Sequence, residues 1–288
     1  MQYKKVNNIQ LHVVEKGTKN DEVVILLHGF PDFWYGWSHQ ISFLATQGYR
    51  VIVPDQRGYN LSDKPRGVRN YHLDILAADI IALIDSLRVE KVNIIGHDWG
   101  GGVAWWLATK YPQRIRKLII LNMPHLAVLH KYLLSNIRQM LRSWYMFAFQ
   151  IPFLPEKYLY YFNSILKNAL INTPNNAFSK KDITLYEKSW SNPHSFSAMI
   201  NWYRAGIRYR KTTFANKELS NEKIKVPTAI IWGANDFYLS RNMVEQSAKM
   251  CEQCNVFYIE EATHWVHREY PQQVNELIKN FLCKVVNL

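Results

Sequence analysis

An aspartate lies between glycines at the end of an apolar run, where its carboxylate could act as a nucleophile. The segment reads Val92-Asn93-Ile94-Ile95-Gly96-His97-Asp98-Trp99-Gly100. A β-branched run, a Gly-x-Asp-x-Gly turn and a helix-like stretch over 103–108 are the strand–turn–helix context of a nucleophile elbow, a position usually held by serine. Glycines flank Asp98 because so sharp a turn leaves no room for a Cβ on either side. A carboxylate there can attack an electrophilic carbon and form an ester, which water must then cleave.

Two later residues have the types and the chain order that such a nucleophile needs. A base must activate the water, and a carboxylate must orient the base. Asp236 and His264 each follow a short apolar run and come after Asp98 in the order nucleophile, acid, histidine. Since the carboxyl ends of parallel strands meet at one edge of a sheet, we predict that the three side chains lie together. His267 competes with His264 as the base, but it lies farther into the following helix.

A third strand end could supply the groups that stabilise negative charge on oxygen. His28-Gly29-Phe30-Pro31 follows the apolar run Val23–Leu27. The backbone N–H groups of Phe30 and Trp99 could converge on an oxyanion. The segment is equally a Gly-Pro turn with a structural His28. Both interpretations can hold, because an oxyanion hole needs only backbone donors.

Strand-like and helix-like segments alternate in a way that would bring these residues together. Short apolar runs predict buried parallel strands, and a 3.6-residue period predicts two helices. The predicted fold class is α/β, with a mostly parallel sheet covered by helices on both faces. The predicted strands are Ile9–Val14, Val23–Leu27, Arg50–Pro54, Val92–Ile95, Leu118–Leu121, Thr228–Trp232 and Val256–Ile259, and the predicted helices are Tyr71–Leu87 and Pro271–Phe281.

The alternation stops between residues 124 and 225, which are rich in Tyr, Trp, Phe and Asn and show helical patterns. We predict a core made of residues 1–123 and 226–288, with residues 124–225 inserted as a helical cap or lid. Ligands of open α/β folds bind at the carboxyl ends of the strands. A cap rooted there would close the site and exclude water.

Charge and composition exclude several classes of protein. The net charge is +12, and residues 123–225 hold 15 Lys and Arg against 5 Asp and Glu. The surplus of basic residues has two interpretations. It forms a solvated surface, or it attracts anionic substrates or a membrane surface. No nucleic-acid-binding module and no run that could span a bilayer is visible. The start of the chain shows no secretory signal, and three cysteines suit a reducing compartment, so we expect a cytoplasmic protein.

The motifs together resemble those of the epoxide hydrolases of the α/β-hydrolase fold, over nearly the whole chain. One residue departs from the pattern, since Asn60 stands where many relatives have glycine, but asparagine tolerates positive φ and the turn should form. The matching segments are His28-Gly29-Phe30-Pro31, Asp55-Gln56-Arg57-Gly58-Tyr59, Gly96-His97-Asp98-Trp99-Gly100-Gly101, Trp232-Gly233-Ala234-Asn235-Asp236 and Thr263-His264-Trp265.

The resemblance implies two ring-opening tyrosines in the cap. Tyr203 lies in Asn201-Trp202-Tyr203-Arg204, and Tyr145 lies in a less similar segment, 143–150, where it could instead be core packing. Two phenols with pKa values near ~10 could hydrogen-bond the epoxide oxygen and protonate it. The family's chemistry needs no metal and no cofactor. The implied partner is a small apolar epoxide, and the protein is a possible homodimer.

Aromatic residues should shape the substrate pocket, and two other functions remain open. The candidate pocket residues are Phe33, Trp34, Trp144, Phe149, Trp202 and Trp265. A haloalkane or haloacid dehalogenase would also use an Asp nucleophile, with the Trp99 indole on the halide. Against it, Phe30 offers no side-chain donor where many dehalogenases have asparagine. The alternative that is not an enzyme is a ligand-binding protein on a hydrolase scaffold.

Overall fold

A single twisted sheet forms the centre of the molecule. The computed structural model describes residues 2–19, 21–213 and 222–283. The strands in this part of the chain are β1 (Gln2–Val6), β2 (Ile9–Lys16), β3 (Glu22–Leu27), β4 (Tyr49–Pro54), β5 (Val92–His97), β6 (Ile115–Leu121), β7 (Thr228–Gly233) and β8 (Cys254–Ile259). They pair in the order β1-β2-β4-β3-β5-β6-β7-β8. The pairs β1·β2 and β2·β4 are antiparallel, and the remaining pairs are parallel.

The predicted strands are all present, and their ends differ from the predicted ends by up to three residues. The largest difference is in β6, which begins at Ile115 rather than Leu118. Arg116 and Lys117 hide this start in the sequence, because charged residues interrupt the apolar run. In the structure, Lys117 is buried and its Nζ donates to the carbonyl of Leu282, at 2.7 Å, near the end of the last helix. A buried ammonium is tolerated where it caps helix carbonyls.

Helices cover both faces of the sheet. The core helices are α1 (Ser38–Thr46), α2 (Leu73–Ser86), α3 (Trp99–Lys110), α12 (Val244–Ala248), α13 (Val266–Glu269) and α14 (Pro271–Cys283). Each face of the sheet has its own hydrophobic cluster. In one cluster, α2 and α3 pack against the sheet. In the other, α1 and α14 pack against the opposite face. The predicted α/β fold is therefore confirmed.

The segment between β6 and β7, called the cap below, is helical. Residues 122–213 contain no strand. The exact limits of the cap at 124 and 225 stay a prediction. Among the described residues no helix is long and apolar enough to cross a membrane. The cap helices are α4 (Leu126–Ser135), α5 (Ile137–Arg142), α6 (Trp144–Ala148), α7 (Leu154–Tyr161), α8 (Ser164–Ile171), α9 (Lys180–Trp190), α10 (Ser195–Arg208) and α11 (Arg210–Thr213).

Hydrogen bonds join the cap to the loops that follow β3 and β4. The indole Nε1 of Trp190 donates to the carbonyl of Pro31 at 2.7 Å, and that of Trp202 donates to the carbonyl of Arg57 at 3.0 Å. Asn60 adopts a φ of 42°, as expected. Its side-chain amide donates to the carboxylate of Asp55, the first residue of the loop after β4. The cap thus sits over the carboxyl ends of the strands, where ligands of open α/β folds bind.

Candidate active site

Asp98 stands on a strained turn between β5 and α3. Its backbone has φ 49° and ψ −126°, a region that costs a residue with a Cβ of order 1–3 kcal/mol. The turn brings α3 so close to β3 that a Cβ on Gly100 would lie 2.1 Å from the carbonyl oxygen of Leu27. Only glycine fits there. The geometry is that of a nucleophile elbow, with the Asp98 carboxylate displayed at the sheet edge.

The loop after β3 supplies a backbone donor to this carboxylate. The N–H of Phe30 donates to Oδ1 of Asp98 at 2.8 Å. Gly29 allows the approach, because a Cβ there would lie 2.4 Å from Asp98. Trp99 begins α3, so its N–H has no acceptor within the helix. His28 supports the loop, since its Nδ1 donates to the carbonyl of Gly29 and its Nε2 accepts a backbone N–H from the loop after β4.

His264 lies between two carboxylates. Its Nδ1 is 2.8 Å from Oδ2 of Asp236, and its Nε2 is 3.5 Å from Oδ2 of Asp98. Burial alone would lower the pKa of His264, but the charges and hydrogen bonds of Asp236 and Asp98 outweigh it and raise this pKa to about 10. Burial alone would likewise raise the pKa of Asp98, whereas His264 holds it below its usual value. In the resting site an imidazolium therefore separates two carboxylates.

Asp236 is held by a dense set of donors. Its Oδ1 accepts from the N–H groups of Tyr238 and Leu239, at 2.7 and 2.9 Å. Its Oδ2 accepts from Asn122 Nδ2 at 2.7 Å in addition to His264. The sequence analysis missed Asn122. The signal was available, because Asn122 directly follows β6 and so ends a strand beside those that carry the predicted site.

A buried cluster of His97, His267 and Asp32 lies behind His264. Nε2 of His97 donates to the backbone carbonyl of His264 at 2.9 Å and so helps to position this residue. Burial, and then the charge of His264, lower the pKa of His97 to about 3. The ring of His267 lies between those of His97 and Trp37, tilted against both, with 4.5 Å between ring centroids on each side. His264 rather than His267 is thus the histidine within reach of both carboxylates.

The same cluster has the residue types of a cation site. Potential ligand atoms of Asp32, His97 and His267 lie within 4.8 Å of one another. Burial, His97 and the positive charge of Arg268 lower the pKa of His267 well below its usual value, so this environment opposes a positive charge. Burial raises the pKa of Asp32 to about 6, which weakens it as an anionic ligand. Of this cluster, His97 supports the backbone carbonyl of His264.

An apolar cavity of about 490 Å³ opens above Asp98 and His264. Most of its wall comes from the cap. Of the residues singled out in the sequence, those that line it with Phe30 are Trp144, Tyr145, Phe149, Tyr203 and Trp265. The sequence analysis missed several others: Tyr238, Ala148, Ile151, Leu154, Tyr158, Leu159, Ile165, Leu166 and Ala169. Tyr238 could have been found, because it lies two residues after Asp236; the cap residues carry no motif.

Three predicted pocket residues, Phe33, Trp34 and Trp202, do not line this cavity. Trp202 is fully buried and packs between Tyr59 and Trp99, with its indole N–H used on a backbone carbonyl of the core. Phe33 packs edge-on against an aromatic ring of α9, at 5.1 Å between ring centroids. Trp34 follows it, and its backbone N–H donates to a buried carboxylate of the core. These residues join cap to core or support the core loops instead of facing a ligand.

Tyr145 and Tyr203 face each other across the cavity wall. Their ring centroids are 5.7 Å apart and the rings are nearly perpendicular, at 80°. Burial, and then the charge of Asp98, raise the pKa of both phenols well above its usual value, so both keep their protons. Arg204 holds the two segments in place, since it donates to the carbonyl of Phe149 at 2.8 Å and pairs with a glutamate of α7.

A second cavity of about 390 Å³ meets the first at His264, Tyr238 and Trp265. It is lined by the polar side chains of Asn168, Asn172, Thr173 and Thr263. Most of its remaining lining is apolar, so the cavity brings a few polar side chains near His264 within an apolar wall.

Comparison with known proteins agrees with this geometry. A family model described as the α/β-hydrolase fold matches residues 22–271. The chain is 42% identical to the AB hydrolase superfamily protein YfhM of Bacillus subtilis (strain 168), over 98% of this chain and 97% of that protein. It is 36% identical to epoxide hydrolase 1 of Caenorhabditis elegans, over 98% of this chain and 70% of that protein.

A solved structure gives the same result in three dimensions. A single-substitution mutant of an epoxide hydrolase from Bacillus megaterium superposes with a TM-score of 0.90 at 33% identity, over 98% of this chain and 100% of that one. The fold, the strand-end site and these relatives agree. The chain belongs to the epoxide hydrolases of the α/β-hydrolase fold, which are hydrolases acting on ether bonds.

Proposed function

We propose that the protein converts a small apolar epoxide and water to a vicinal diol through an ester on Asp98. The observation that carries the proposal is the pair of protonated phenols, Tyr145 and Tyr203, in the same apolar cavity as the Asp98 carboxylate and His264. An epoxide in this cavity would meet a nucleophile and two hydrogen-bond donors. The oxygen of an opening epoxide needs such donors, because it leaves as an alkoxide.

In the first step an Asp98 oxygen bonds to an epoxide carbon while the carbon–oxygen bond of the ring breaks. The released oxygen takes a proton from Tyr145 or Tyr203, and the other phenol hydrogen-bonds it. The product is a neutral ester on Asp98. Loss of the Asp98 charge removes one of the two carboxylates that raise the pKa of His264. The imidazolium therefore becomes more acidic, and its proton restores the phenol.

In the second step the now neutral His264 takes a proton from water, and the hydroxide attacks the carbonyl of the Asp98 ester. The amides of Phe30 and Trp99 stabilise the oxyanion, in the manner of an oxyanion hole. The intermediate breaks its bond to the diol oxygen, which takes the proton from His264. Asp98 then gives up the proton that it gained from water, and the imidazolium between two carboxylates is restored. The second cavity beside His264, which carries asparagine and threonine side chains, would supply the water.

The runner-up function is removal of a halide by the same nucleophile. The Trp99 indole lies close to Tyr203, with 5.2 Å between ring centroids, so it could assist either leaving group. The side chain of Phe30 packs on Phe149 and Tyr203 and offers no donor. Two phenols suit an oxygen that needs a proton better than a halide that needs none. A panel of styrene oxide, fatty epoxides and haloalkanes, assayed for diol and for halide, separates the two functions.

The ester mechanism is tested by following the oxygen atom. In a single turnover in ¹⁸O-water with enzyme in excess, water attacks the Asp98 carbonyl, so the first diol carries an oxygen from the carboxylate. We expect largely unlabelled diol, with the label retained in a peptide that contains Asp98. A labelled first diol would mean that Asp98 activates water as a general base, and it would refute the nucleophile role even if Asp98 proved essential.

A further inference from the structure

The mouth of the apolar cavity opens through an apolar outer surface of the cap. Five residues line the cavity and are also between 44% and 61% exposed to solvent. We call them the cap rim: Trp144, Ile151, Leu154, Tyr158 and Ile165. All five border the same opening. Soluble monomers rarely expose large continuous apolar patches unless the patch contacts a partner or a membrane.

Phe153 extends the cap rim away from the cavity. Its side chain is 77% exposed and does not line the cavity. Its backbone has φ 61° and ψ −32°, a positive-φ conformation that a bulky residue rarely adopts and that asparagine tolerates better. The exposed ring therefore gains little from packing, and the backbone conformation at this position disfavours an aromatic residue. Display of this ring to something outside the molecule would explain both facts.

The charges in the cap sequence, which includes the cap rim, are mostly of one sign. Two of them are compensated within the cap, since Glu156 is paired with Arg204 and Lys167 is paired with Glu187. Across 123–225 the surplus of basic over acidic residues is ten, from 15 against 5. Apolar and aromatic side chains inside a basic surround are the composition of surfaces that bind the interface of anionic membranes. Between residues 131 and 171 the sequence has one acid, Glu156, and the basic residues Lys131, Arg138, Arg142, Lys157 and Lys167.

We propose that the cap rim and Phe153 dock on the surface of an anionic lipid bilayer. A second copy of the chain is the other obvious occupant, but it would bring two positively charged cap surfaces together. An anionic bilayer offers the opposite charge, and tryptophan and tyrosine side chains favour the boundary between lipid and water. Docking turns the cavity mouth towards the lipid. If the proposed function holds, an apolar epoxide could then pass from the bilayer to Asp98 without crossing water.

Co-sedimentation with vesicles tests the docking directly and needs no substrate, so its result is independent of the proposed function. The probes are vesicles of phosphatidylcholine alone and of equal parts phosphatidylcholine and phosphatidylglycerol. We expect the protein to bind the anionic vesicles much more strongly, and added salt to weaken that binding. Phe153→Asn should weaken binding roughly tenfold, the expected effect of losing one partly buried aromatic ring.

The control is Tyr3→Asn, which removes an exposed aromatic ring from β1, at the far edge of the sheet. Thermal unfolding should show Phe153→Asn to be at least as stable as the parent, because asparagine relaxes the positive-φ backbone. Failure to bind anionic vesicles, or equal binding by Phe153→Asn, would overturn the proposal. Light scattering measures the oligomeric state and so tests the second copy as occupant. If the parent is a dimer and Phe153→Asn is a monomer, the cap rim joins two copies of the chain instead.

Discussion

The core and the cap hold their functional side chains by different means. At the sheet edge the Asp236 carboxylate accepts four hydrogen bonds, and His264 is bonded through both its ring and its backbone. In the cap, Tyr145 and Tyr203 are positioned by aromatic packing and by Arg204, which binds the backbone of a neighbouring turn. Directional bonds hold the charged groups and packing holds the neutral ones. In the proposed reaction the core therefore supplies the charged groups, and the cap supplies the neutral proton donors and most of the pocket wall.

The strongest test of this division is Asp98→Ala. In the proposed route Asp98 supplies the attacking atom, so turnover should fall by roughly 10⁴-fold or more. The fold should be retained, because alanine at this turn loses no packing contact that the core needs. Steady-state diol formation and thermal unfolding measure the two effects. Normal turnover in this variant would show that Asp98 is not the nucleophile.

His264→Gln should separate the two steps of the reaction. Attack by Asp98 does not need a base, whereas cleavage of the ester does, so the ester should accumulate. Intact-mass measurement after mixing with an epoxide should show an adduct of the mass of the substrate. A matched variant, His267→Gln, lies outside reach of both carboxylates and should show no lasting adduct. An inactive His264→Gln that never forms the adduct would argue against the two-step route.

The cap's share in the chemistry is tested with Tyr145→Phe and Tyr203→Phe. Each change should slow ring opening by roughly 10- to 100-fold, because one phenol can partly replace the other on a shared oxygen. The double variant should nearly stop ring opening. Rapid-quench measurement of ester formation gives the rate directly. If the double variant opened epoxides at the parent rate, both tyrosines would be packing residues and the cap would only shape the pocket.

Titration of His264 tests the charge balance of the core. With two carboxylates its pKa is raised to about 10. Asp98→Asn resembles the neutral ester, so the pKa of His264 should fall in this variant, as imidazole NMR would show. The parent gains stability from the imidazolium below about pH 6.5 and loses it as pH rises towards about 10. That loss should be smaller in Asp98→Asn and should be complete at lower pH, because only the folded-state pKa is lowered. An unchanged pKa would mean that Asp98 does not govern the base.

The smallest expected effects distinguish two tryptophans of the cap. Trp144 lines the cavity mouth, so Trp144→Ala should change the preference among epoxides and leave the melting temperature nearly unchanged. Trp202 joins cap to core through the carbonyl of Arg57. Trp202→Phe should lower the free energy of unfolding by about 1–2 kcal/mol and leave the preference unchanged. Competition assays and urea unfolding measure both quantities, and the reverse pattern would contradict the placement of the cavity wall.

The sequence alone was sufficient for the fold and for the positions of Asp98, Asp236 and His264. Each follows a short apolar strand, and the order of strands in a parallel sheet brings such ends to one edge whatever the details of packing. The glycines beside Asp98 mark its turn for the same local reason, since a Cβ there would strike a neighbouring segment of backbone. Position along a strand determines which edge a residue reaches, so these inferences needed no knowledge of side-chain contacts.

Only the tertiary structure decided which cap aromatics face the cavity. Trp144 and Trp202 both lie in helical, aromatic-rich sequence, yet one lines the mouth and the other is fully buried against aromatic rings of the core. The face that a short helix presents depends on how it packs on distant residues, and sequence spacing does not contain that angle. The hydrogen bonds that Asn122 makes to Asp236 and His97 makes to His264 depend on packing in the same way, since each joins residues more than 100 positions apart.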